Sequence, residues 1–271
     1  MNDADRLARY VAAWKESADS VVALLRSIDA ADWDAPTDLP GWSVRAVAAH
    51  LAHLESELAG HPQASVEVPD LEHLTALSSS WTETGVIARS GDSTEALIDE
   101  LEQAVASRHA ALVANPPTDA SAAPPITPGG MPWDWETMLS NRVVDVWMHN
   151  QDIRRAVDRP GDLDGLGARH TAAVFARAIP YVVGKKVAPP AGTTVRVDIA
   201  GVDSLNLVID EGGRAQRLAD VPTDPTVALD LDLESLIILA GGRRPADRVP
   251  ATIHGDADLA RRILEAMTVT F

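Results

Sequence analysis

The spacing of apolar residues changes near residue 190, and that change decides what this chain can build. Upstream, Leu7, Val11, Trp14, Val21, Leu24, Leu25 and Ile28 recur at the intervals of one helix face. Asp38-Leu-Pro-Gly-Trp then breaks the chain, and Ser43 stands where an N-cap belongs, ahead of the apolar stripe Val44, Val47, Leu51, Leu54 and Leu58. Further helices are expected near 70–88, over 93–114 from Ser93-Thr-Glu, over 134–157 and over 167–184, with a long Pro-, Ala- and Gly-rich loop at 115–132. Past Ala188-Pro-Pro-Ala-Gly the period falls to two. Thr194-Val-Arg-Val-Asp-Ile-Ala alternates, Asn206-Leu-Val-Ile-Asp runs into the turn Glu211-Gly-Gly-Arg, and Pro225-Thr-Val-Ala-Leu-Asp-Leu continues as strand. A helix over Leu233 to Leu239, a strand at Ala251-Thr-Ile-His and a helix from Asp256 to Met267 complete the pattern. The expected architecture is a helical domain over 1–188 followed by a smaller α+β domain over 189–271.

Within the helix expected at 134–157, Asn141, Asp145, His149 and Asp152 fall on one narrow stripe at about 100° per residue. Leu139, Val146 and Ile153 flank it on one side and Val144 and Met148 on the other, so the helix should be buried with a polar seam. A carboxylate and an imidazole one turn apart project from the same face and can hold a divalent ion together, given a third ligand. The spacing equally fits a hydrogen-bonded structural pair, and it cannot identify a ligand some ninety residues away. His50 is the candidate for that third position: it sits roughly 80° from the centre of the Val44 to Leu58 stripe, whereas His53, roughly 140° away, is expected to face solvent.

Composition narrows the chemistry. With a formal charge of −17 and a pI near 4.7, the chain lacks the broad basic surface that nucleic acid or an anionic membrane requires. The sequence holds no cysteine, which removes disulfides, thiolate ligands and a protein thiol nucleophile together, so any thiol chemistry must use an external thiol. The opening Met-Asn-Asp-Ala-Asp-Arg has no apolar signal core and no run reaches the length of a membrane span, so cytoplasmic residence is expected, as a monomer or homodimer.

Trp42-Ser-Val-Arg-Ala-Val-Ala-Ala-His-Leu and Asn141 through Ala156, with His149-Asn-Gln-Asp-Ile-Arg-Arg-Ala, resemble the mycothiol-dependent maleylpyruvate isomerase family of actinobacteria. Leu239-Ala-Gly-Gly-Arg-Arg and Ile253-His-Gly-Asp-Ala-Asp-Leu-Ala resemble its small C-terminal domain, which is related to sterol-carrier proteins. The resemblance implies a DinB-like four-helix bundle and a divalent metal, usually zinc, held here by His50, Asp145 and His149. The family's carboxylate is Glu, and Asp145 is one methylene shorter. It also implies mycothiol as thiol cosubstrate: its sulfur adds to a carbon–carbon double bond, the bond rotates and the thiol leaves, while related proteins transfer the thiol to electrophiles.

The other candidates divide between site and scaffold. Asp152 could orient the His149 imidazole or pair with Arg155 or Arg45. Arg243, in Gly241-Gly-Arg-Arg, is the expected catalytic arginine, the alternative being an exposed loop arginine beside Arg244; its fork suits the carboxylates of a small substrate, and the second domain is expected to bring it toward the metal. Trp42, Trp133, Trp135 and Trp147 could line a pocket or simply pack, and His61, His73, His109, His170 and His254 show no partner at ligand spacing. The expected function is thiol-dependent isomerisation, or thiol transfer, on a small electrophile such as maleylpyruvate. The alternative is a non-catalytic carrier of an apolar molecule with a structural metal; acids alternating along Ala228-Leu-Asp-Leu-Asp-Leu disfavour the continuous apolar cavity that it needs.

Overall fold

The computed structural model describes residues 1–74 and 79–270, and the chain divides into two compact units, Met1–His170 and Thr171–Phe271. Among the described residues no helix is long and apolar enough to cross a membrane.

The first unit is helical. Helix α1 (Asp3–Ser27) starts where the Asn2 side chain accepts the Asp5 N–H, α2 (Val44–Leu58) where Ser43 accepts that of Ala46, α4 (Thr94–Ala114) where Ser93 accepts that of Ala96, and α5 (Trp135–Ala156) where Asp134 accepts that of Thr137. Each cap satisfies an N–H that the first helical turn leaves without a partner, a contribution of about 1 kcal/mol apiece. The four helices share one core: Leu7, Trp14, Val21 and Leu25 of α1 meet Val44, Val47 and Leu51 of α2, Leu97, Leu101 and Val105 of α4, and Leu139, Val143 and Ile153 of α5. Helix α1 lies against α4 and α5, and α2 against the same two, so α2 and α5 present facing surfaces.

The short α3 (Ser79–Ala88) lies beside α2, in the expected 70–88 segment, of which residues 75–78 fall outside the described residues. Its approach depends on Gly85, where a Cβ would sit 2.4 Å from the Cβ and Cγ of His53. The 115–132 segment is loop apart from a 3-10 turn at Pro128–Gly130; Gly129 there has φ +55°, and a Cβ would come within 2.7 Å of the Trp81 indole. The chain passes into the second unit within α6 (Leu166–Tyr181), so the division precedes the change of apolar period near 190.

The second unit is α+β. Five strands, β1 (Thr194–Ile199), β2 (Val202–Ile209), β3 (Ala215–Arg217), β4 (Val227–Leu231) and β5 (Thr252–Gly255), form a sheet in the order β3-β2-β1-β4-β5. Only β1 and β4 pair in parallel, with Val195 opposite Val227 and Val197 opposite Leu229. Val195, Val197 and Ile199 are buried while Thr194, Arg196 and Asp198 stay partly open, as the alternation predicts. Helix α7 (Leu233–Ala240) is capped by Asp232, and α8 (Ala257–Glu265) buries Leu259, Ala260, Ile263 and Leu264. Strand β3 was not expected: its residues, Ala-Gln-Arg, carry no apolar alternation, and it is held at the sheet edge by the tight turn after Asp210.

Candidate metal centre

Three side chains converge between α2 and α5. His50, Asp145 and His149 each offer one donor atom, and the three atoms lie within 4.8 Å of one another. Asp145 Oδ2 is 3.8 Å from His50 Nε2, Asp145 Oδ1 is 3.7 Å from His149 Nε2, and the imidazole centroids are 4.9 Å apart at 78°. Both imidazoles are buried, while the Asp145 carboxylate keeps an open side, its side chain 26% exposed.

Those separations suit an ion better than direct bonds. At 3.7 and 3.8 Å the carboxylate is too far from either imidazole for a hydrogen bond. Donors bonded at about 2.0–2.2 Å to one tetrahedral ion stand roughly 3.4 Å apart, so donors spread over as much as 4.8 Å would draw in by up to about 1.4 Å to share one ion. The His149 tautomer fits as well. His149 Nδ1 is 3.0 Å from Asp152 Oδ2, which, as an acceptor, draws the imidazole proton to Nδ1 and leaves the Nε2 lone pair facing Asp145. Burial lowers the His50 pKa, with the Asp145 carboxylate opposing, which favours the neutral imidazole that a metal needs. For Asp145, burial pushes the pKa up, but the Arg142 guanidinium and the neighbouring imidazoles overcome it and hold the carboxyl well below the usual range.

Trp42 walls one side, its ring centroid 4.9 Å from that of His50 and 6.0 Å from that of His149. Its Nε1 donates to Glu83 Oε2 at 2.8 Å, and His73 Nε2 lies 3.2 Å from the same oxygen, so the ring is fixed from α3. His73 thus has a place that ligand spacing did not reveal.

The N-terminal domain pattern of the mycothiol maleylpyruvate isomerases matches residues 14–154, and the MDMPI C-terminal domain pattern matches residues 169–262. The chain belongs to the mycothiol-dependent maleylpyruvate isomerase family. Among solved structures, the fold is similar to a crystal structure of the mycothiol-dependent maleylpyruvate isomerase, at 17% identity and TM-score 0.54, with 93% of this chain and 96% of that one covered. A histidine-to-alanine mutant of that enzyme gives TM-score 0.52 at the same identity and coverage. No curated protein matches the chain in sequence.

In this member of the isomerase family the largest departure from the sequence reading is a buried chain of charges behind Asp145. Glu55, fully buried on α2, accepts from Arg142 Nη2 at 2.7 Å, Arg108 Nη1 at 2.7 Å and Trp14 Nε1 at 3.0 Å. Arg142 Nη1 then donates to Asp145 Oδ2 at 2.8 Å. The signal was present in the sequence: Glu55 lies one turn beyond Leu51 on the apolar stripe, where a charge requires a buried partner.

His53 departs from expectation too. It is 3% exposed, its Nδ1 2.9 Å from Gln63 Oε1 and 3.2 Å from Arg89 Nη1, because α3 and Arg89 cover a side of α2 that lies outside the four-helix core. Asp152 fills both of its proposed roles, facing His149 and accepting Arg155 Nη2 at 2.5 Å. Trp147 is a packing residue, buried with Nε1 donating to Asp162 O at 3.0 Å, and Trp133 and Trp135 pack half-buried against the core. Arg243 lies in the second unit just after α7, half-buried, with Nη1 donating to Gly241 O at 2.7 Å.

Proposed function

We propose that this chain is a metal-dependent enzyme that uses a low-molecular-weight thiol, mycothiol or a close analogue, to isomerise a small electrophile such as maleylpyruvate in the cytoplasm. The observation that carries the reading is the set of two buried imidazoles, one of them oriented by Asp152, and one half-open carboxylate, in a family whose solved relative is a mycothiol-dependent maleylpyruvate isomerase. Two nitrogens and one oxygen make a donor set that suits zinc and leaves one position for an exogenous group. When bound, the ion would supply a Lewis acid that favours the anionic form of a thiol near neutral pH.

The protein's own residues do the rest. Asp152 holds the His149 tautomer, Trp42 and the buried imidazoles keep bulk water from one side, and the chain offers no cysteine to compete with the external thiol. The thiol sulfur adds to the substrate double bond, rotation about the resulting single bond changes its geometry, and elimination returns the thiol, so no atom is gained or lost. Arg243 binds a substrate carboxylate through its planar fork. Thiol transfer to other electrophiles would draw on the same groups. The test is turnover of maleylpyruvate with mycothiol by zinc-loaded protein: activity that needs both thiol and ion supports the reading, and equal turnover after complete metal removal refutes it.

A further inference from the structure

Arg142 is 1% exposed and divides its guanidinium between two acids. Nη1 donates to Asp145 Oδ2 at 2.8 Å, while Nη2 and Nε donate to Glu55 Oε1 at 2.7 and 3.2 Å. The other acid beside the centre is treated alike. Asp152, which faces His149, takes Arg155 Nη2 at 2.5 Å, and Arg155 Nε is anchored at 2.8 Å on Asp38, a residue partly open to solvent. Both arginines stand three residues from their acid on the same helix, α5, and each is tied back to an acid outside it.

This pairing changes the charge that an incoming ligand meets. A divalent ion held by two neutral imidazoles and one lone carboxylate keeps a single net positive charge; with Arg142 paired to that carboxylate, the local sum returns to two. Arg155 offsets Asp152, with Asp38 beyond it partly open to solvent and so screened, and Arg108 offsets Glu55. We propose that Arg142, acting through Asp145 as a positioning residue, sets the charge of the centre so that it selects an anionic fourth ligand, such as a thiolate, over a neutral one. The inference rests on the metal reading above.

The test uses the full chain loaded with cobalt(II), whose visible spectrum reports its coordination, titrated with azide as a monoanion and imidazole as a neutral ligand. In Arg142→Gln, azide affinity falls on the order of tenfold or more, because a unit charge within a few ångströms is lost in a medium of low effective dielectric, while imidazole affinity stays within about threefold. Arg142→Lys, which keeps the charge, restores azide binding. A residue serving structure alone would weaken both probes together. Should Arg142→Gln fail to fold, the triple variant Glu55→Gln/Arg108→Gln/Arg142→Gln removes Glu55 together with both of its arginines, strands no buried charge, keeps the same one-unit loss at the centre and is read in the same way. An equal change for the two probes, or no rescue by lysine, overturns the role of Arg142 and leaves the metal reading standing. Wild-type protein that takes up no cobalt overturns both.

Discussion

Replacing Glu55 by Gln tests whether the buried charges support the helical unit. The carboxylate accepts four hydrogen bonds: one from Trp14, one from Arg108 and two from Arg142. Gln keeps the shape but loses the charge and turns an amide N–H toward guanidinium donors. Arg142 would retain Asp145, but Arg108, only 4% exposed, would keep just the Trp14 ring at 4.5 Å and Met138 Sδ at 3.2 Å. A buried charge stranded in this way costs about 3–5 kcal/mol, which lowers Tm by roughly 6–20 °C in a domain of this size. Thermal and urea unfolding, followed by circular dichroism in excess EDTA to exclude ion linkage, measures it. The sign with pH is fixed. Burial raises the Glu55 pKa, but Arg142 and Arg108 outweigh it and depress the folded value. Its contribution is therefore complete above the unfolded pKa of about 4.3 and fades as pH falls through the folded one. The gap between wild type and variant should be widest at neutral pH and close in acid; a gap below about 1 kcal/mol at pH 7, or one independent of pH, refutes the reasoning.

Three further outcomes are expected. His149→Ala should abolish stoichiometric zinc, measured by elemental analysis, while far-ultraviolet circular dichroism stays unchanged; retained zinc would exclude His149 as a ligand. Arg243→Ala should leave metal content intact and lower kcat/KM for a carboxylate substrate by tenfold or more, on the order of 1.4 kcal/mol per power of ten, and equal kinetics would remove Arg243 from the site. Metal-free protein should lose stability as pH drops below about 6.5, because burial first, and for His53 the Arg89 charge next, lowers the folded pKa of both His50 and His53. Urea midpoints that stay flat between pH 7.5 and 5.5 would contradict that linkage.

The helices and most strands were legible because their signals are local: Ser43 and Ser93 cap where expected, and the change of period near 190 announces the sheet. The pairing of Asp145 with His149 is likewise a property of one helix, and the placing of His50 beside them followed from its helix angle and the family resemblance. What escaped was set by distant parts of the chain. His53 reads as exposed from α2 alone and is covered by α3 and Arg89; β3 is held by an edge pairing and a turn, with no pattern of its own. Arg142 drew no assignment, because its acceptor, Glu55, is eighty-seven positions away.

The charges around the centre alternate in two short series, Arg108–Glu55–Arg142–Asp145 and Asp152–Arg155–Asp38, the second beginning beside the His149 imidazole. In such a series each interior member serves two neighbours, so no substitution has a cost of its own: the loss of an acid depends on whether its arginine has already gone. A lineage leaving this chemistry would shed the groups as opposite-charge pairs, since single steps strand a buried ion and paired steps leave an uncharged, packable interior. The same coupling means that sequences related to this one should vary at positions 55 and 108 together, Arg142 keeping Asp145, even while His50, Asp145 and His149 stay fixed.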